Sequence, residues 1–150
     1  MGNLITAMVT VVSPLIAREY LIPKVMHPFN WGGIPFQPPS TLTYIFLYVI
    51  FNLMLIGSAA TVSGLMTTMR KCRKWDLRIA ISHTVWTLAC ALLGMIILAF
   101  VPFIKSPVLA VTGWLPYANH LVTGLYMAIA VLIGGMISNN SNRSDVCGST

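Results

Sequence analysis

The side chains best suited to chemistry in this chain are His83 and His120, the cysteines Cys72, Cys90 and Cys147, and the acids Glu19, Asp76 and Asp145. His83 and His120 each fall in an apolar run, the setting in which paired imidazoles ligate haem in membrane cytochromes. Depth argues against that use. His83 lies near one end of its run and His120 near the opposite end of the next, so antiparallel helices would separate the rings by about 25 Å. One haem then cannot join them within a chain, and only ligation across two chains is left to a haem-binding anchor. The plainer reading is that each imidazole reaches an interface with its polar tip. The cysteines have no CxxC spacing, which leaves no disulfide or zinc framework. The acids lie in loops or flanks and never converge with Ser and His. No hydrolase, kinase, redox or metal signature results, so the chain is expected to be no enzyme, with no cofactor and no small-molecule substrate.

Two positions are candidates for lipidation. Gly2, with Thr6, matches the N-myristoylation pattern, and Cys72 sits in the basic flank of an apolar run. A span that begins at residue 3 has little need of an acyl anchor.

The elements that carry these residues follow from composition. Hydrophobic residues make up 57% of the 150 and charged residues 8%, against roughly 25% charged in soluble domains. That is too few to solvate a fold in water, so lipid must be the solvent. Five of the nine Lys and Arg lie between Arg70 and Arg78, a membrane-flanking loop and not a nucleic-acid face. The fold class expected is an all-α integral membrane bundle of three to four transmembrane helices in one domain. Residues 42–66, 79–101 and 118–137 are charge-free runs long enough to cross about 30 Å of hydrocarbon. Residues 3–17 are shorter and contain Pro14. Their polar face, Asn3, Thr6, Thr10 and Ser13, bears no charge, which suits packing among helices better than lying on headgroups. A short fourth span is therefore expected there, and not a secretory signal.

Between the spans, residues 18–41 hold Pro23, Pro28, Pro35, Pro38 and Pro39 with Phe29, Trp31 and Phe36. The prolines predict a loop without continuous helix, and the three aromatics make it a candidate docking surface. Residues 102–117 read as a turn with an aromatic belt. Residues 138–150 read as a polar tail. Counting Lys and Arg on each side puts the 70–78 loop and the C-terminal segment on the inner face.

Helical spacing groups small and polar residues into stripes. Gly57, Thr61 and Gly64 form one, His83, Thr87 and Gly94 a second, and His120, Gly124, Ala128 and Gly135 a third. Small residues at such spacing let backbones approach in lipid. A transport path would instead call for charged side chains at depth, and the runs contain none. Asn52, near mid-span, should seek a partner on another helix, in this chain or a neighbouring subunit. The sequence thus points to a structural or anchoring subunit whose partners are the bilayer and other proteins of a larger assembly. A virion with an internal membrane or an organelle complex would suit it. A small oligomeric channel or carrier is the alternative.

Overall fold

The computed structural model describes residues 2–26, 41–72, 75–115 and 117–141. The described residues form helices and connecting turns, with α1 at Gly2–Met26, α2 at Thr41–Cys72, α3 at Leu77–Phe100, a short α4 at Ser106–Thr112 and α5 at Ala118–Ser141. Four of the helices hold stretches of 20 to 26 residues that are apolar enough to cross a membrane, which at about 1.5 Å per residue is at least about 30 Å. The chain is a multi-pass integral membrane protein.

The four long helices form a ring. Helix α1 packs on α2 and α5, and α3 packs on the same two. Each contact is antiparallel. Gly2 meets Ser63, Gly64 meets Ala80, Gly94 meets Ala130 and Gly124 meets Val11. The N-termini of α1 and α3 therefore share one end, the basic end, with the C-termini of α2 and α5. Exposed Leu4, Met8, Met54, Val85, Ile129 and Met136 cover the outside, as lipid contact requires. An apolar centre of Ile56, Ala91, Leu98, Met127 and Val131 joins α2, α3 and α5.

The contribution of α1 is different. Its buried face is Thr6, Thr10, Ser13 and Pro14, with Ala7 and Ala17. Each hydroxyl finds a backbone acceptor. Thr6 Oγ1 donates to Gly2 O at 3.3 Å or to Ala59 O on α2 at 3.4 Å, and Thr10 Oγ1 donates to Thr6 O at 2.7 Å. Pro14 lacks the N–H that would have bonded Thr10 O. Ser13 Oγ donates to that carbonyl instead, at 3.1 Å, which is how a spanning helix tolerates a proline.

Several boundaries differ from the sequence reading: α2 runs past residue 66 to Cys72 and α3 starts at Leu77, so Arg70, Lys71 and Arg78 of the basic segment are helical. Helix α1 does not end at Ala17 but runs to Met26 through Pro23, which has no N–H to give the Glu19 carbonyl. Helix α5 continues to Ser141 because Ser138 is buried in the bundle, so the first residues assigned to the tail are helical. The 102–117 turn contains a 3-10 turn at Pro102–Ile104 and α4. It also carries the exposed Phe103 and Trp114. At the start of α3, Asp76 Oδ1 accepts from Arg78 N at 2.9 Å and Ile79 N at 3.2 Å, a side-chain cap for two otherwise free donors.

Candidate functional site

The close approaches of the helices occur at small residues, and they are unequal. A Cβ on Gly124 would run into the Val11 carbonyl oxygen and lie 2.9 Å from Val11 C and Cα, all backbone. On Gly64 it would lie 3.0 Å from Ala80 Cα, and on Gly94 3.1 Å from Ala130 Cβ. On Gly57 it would meet only the end of Leu88, at 3.4 Å. On Gly135 it would lie 2.8 Å from Asn3 Nδ2. Thr61 and Thr84 pair their hydroxyls at 3.0 Å between α2 and α3. Thr87 is buried and donates to His83 O at 2.7 Å; His83 and Ala128 are buried as well.

Gly134 lies one position off the α5 stripe, and periodicity alone passed over it. A Cβ there would lie 2.8 Å from Trp86 O and 3.1 Å from Thr87 Cα and Cys90 Cβ. The signal was the Gly134-Gly135 pair, which offers a backbone approach on two adjacent faces.

Gly2 sits in contact with Ser63 at the start of α1, and Cys72 is the last residue of α2. Phe29, Trp31 and Phe36 lie outside the described residues. Asn52 is fully buried, and its Nδ2 donates to Tyr48 O one turn back at 2.8 Å. Its burial inside the bundle rules out the neighbouring-subunit partner that the sequence left open. Among the described residues Asn52 Oδ1 has no hydrogen-bond partner. A buried acceptor left unpaired costs about 1–3 kcal/mol. Asn52→Leu is therefore expected to raise bundle stability by about 1 kcal/mol, read by unfolding in mixed micelles. A loss of stability in that variant would mean that the oxygen is paired.

His120 leaves the pattern of its stripe. It is half-exposed at the end away from the basic loop, where the Tyr48 hydroxyl lies 3.4 Å from its Nδ1. The two rings are tilted by 53° with centroids 6.4 Å apart. His83 adjoins Thr84, which bonds Thr61 of α2. Tyr48 and Thr61 are separated by about 20 Å of helix, so the two imidazoles occupy different levels of the bundle and no single haem spans them.

Around His120, Lys105 Nζ donates to Asn119 Oδ1 at 3.5 Å. Ile45, Tyr48, Lys105, Asn119, His120 and Thr123 line a pocket of ≈ 260 Å³. Burial pushes the Lys105 ammonium below the ordinary lysine value. Nearby, the Arg18 guanidinium lies 3.9 Å from the centre of the Tyr117 ring. Tyr117 itself has φ of 64°, a left-handed conformation unusual for a bulky residue. Its carbonyl accepts from His120 N and Leu121 N at 2.9 and 3.1 Å, which starts α5. Arg18, Lys105 and His120 thus gather where the α5 dipole is positive. The sequence reading passed over this cluster, because Tyr48 and His120 are far apart in the chain. No known protein family, curated protein or solved structure matches the chain.

Proposed function

We propose that the protein is a non-enzymatic membrane subunit that anchors a larger membrane-associated assembly, such as a virion with an internal membrane or an organelle complex. The observation that carries this reading is the use of the bundle interior. Small residues are spent on backbone approaches such as Gly124 to Val11 and Gly64 to Ala80, and the hydroxyls of Thr6, Thr10, Ser13 and Thr87 on backbone carbonyls. Among the described residues, charged side chains lie away from the middle of the spans, Arg18 and Glu19 about two turns before the end of α1. An interior of that kind supports packing. The 27–40 segment, with Phe29, Trp31 and Phe36, is the proposed docking surface for the other subunits. Extraction from the native membrane in mild detergent tests this: the chain is expected within a complex containing other proteins. A small oligomeric channel or carrier is the second reading, favoured by the buried Asn52 Oδ1 and Ser63 Oγ, which have no hydrogen-bond partner among the described residues. It predicts solute flux from the protein alone in liposomes.

The basic end, with Arg70 and Arg78, is proposed to face the inner side, following the excess of Lys and Arg in the 70–78 segment. Cys72 and Cys147 should then react with membrane-impermeant thiol reagents only after the inner face is opened. Labelling of either from outside sealed vesicles would reverse the orientation.

A further inference from the structure

We propose that the pocket lined by Tyr48, Lys105, Asn119, His120 and Thr123 holds the phosphate of an anionic phospholipid headgroup. This inference is independent of the anchoring role. Four observations converge on it.

The first is depth. Helix α3 ends at Phe100 and α5 begins at Ala118, so Lys105 and Asn119 lie where hydrocarbon gives way to headgroups. Basic pockets between transmembrane helices bind acidic lipid heads on the cytoplasmic or matrix side, and this pocket offers the same chemistry at the end away from the 70–78 segment. The second is charge. Lys105 is half-buried, and the hydrogen bond it makes is to the neutral Asn119 amide oxygen at 3.5 Å. A partly desolvated ammonium is best compensated by an anion. Among the described residues no acid lines the pocket, and Arg18 and the N-terminus of α5 add to the positive field.

The third is donor geometry. Lys105 Nζ bonds Asn119 with one hydrogen and has two more to present, and a phosphate accepts several at once. Tyr48 and His120 share one hydrogen bond at 3.4 Å, and the pair stands beside Lys105 in the pocket lining. The fourth is the apolar wall. Ile45 closes one side of the pocket and is 51% exposed on the outside of the bundle. Acyl chains attached to the phosphate can leave along that face, which a free phosphate would not use. At ≈ 260 Å³ the pocket is below the roughly 300–1,000 Å³ of drug-sized ligand sites, the scale of a headgroup and not of a whole lipid.

The test uses the full chain in nanodiscs of phosphatidylcholine with a minority of phosphatidylglycerol, re-extracted in mild detergent and assayed for retained lipid. The wild-type protein should retain phosphatidylglycerol in preference to phosphatidylcholine. Loss of a charge-assisted hydrogen bond in Lys105→Gln should lower that retention about tenfold. Lys105→Arg should stay near wild type, as should Arg78→Gln at the opposite end. Unchanged retention in Lys105→Gln, or an equal loss in Arg78→Gln, overturns the site. If Lys105→Gln does not fold, Tyr48→Phe decides: a loss of a few-fold supports the pocket, and wild-type retention overturns it. Complete displacement of the lipid by inorganic phosphate would assign the pocket to a soluble anion and overturn the lipid proposal.

Discussion

Gly124→Leu is expected to separate α1 from α5 and to cost the bundle at least about 3 kcal/mol, the upper end of overpacking penalties. The atoms that a side chain would meet there are the Val11 carbonyl, C and Cα. These are backbone and cannot rotate aside, so the helices must move apart along their contact. Gly64→Leu, facing Ala80 Cα at 3.0 Å, should behave similarly. Two variants provide the scale. Gly57→Ala meets only the tip of Leu88 at 3.4 Å and should be nearly neutral. Leu98→Ala removes packing from the apolar centre but leaves every backbone contact in place. It should cost less than either glycine variant, because in lipid the exposed alternative for a leucine is also apolar. Reversible unfolding in mixed micelles ranks the four. Equal behaviour of Gly124→Leu, Gly64→Leu and Leu98→Ala would show that small residues do not set these contacts.

Trp31→Ala is expected to leave the isolated chain folded and inserted while lowering its incorporation into the native assembly by roughly tenfold or more, the scale of a buried aromatic anchor. Pro28, Pro35, Pro38 and Pro39 limit the backbone freedom of the segment between α1 and α2 before any partner arrives. Less ordering entropy is then lost on docking. Aromatics also rest in the headgroup belt, and the variant separates the two roles. A Trp31 that only contacts lipid can be removed with normal incorporation.

Much of the fold could be read from charge alone. The absence of Lys, Arg, Asp and Glu from three long runs left them no solvent but lipid, and the uncharged hydroxyl face of α1 marked it for packing inside a bundle. The helix ends were harder because local compensation decides them. Pro14 is tolerated since Ser13 donates to Thr10 O, and the polar turn at Ser138 stays helical because neighbouring helices bury it. Spacing gave the stripes but not the phase of one helix against another. That phase makes Gly124 and Gly134 tight and Gly57 loose. The pocket was the least legible feature. Tyr48, Lys105 and His120 come together only when the ring of helices closes, and no local pattern announces them.

The anchoring role is tested most directly by the company the chain keeps in its native membrane. Extracted in mild detergent, it should migrate in a complex well above its own 16.4 kDa, with other proteins in fixed ratio, and Trp31→Ala should shift it out of that complex. Purified alone into liposomes, it should conduct no solute. Recovery free of other proteins together with solute flux from the isolated chain would contradict the account.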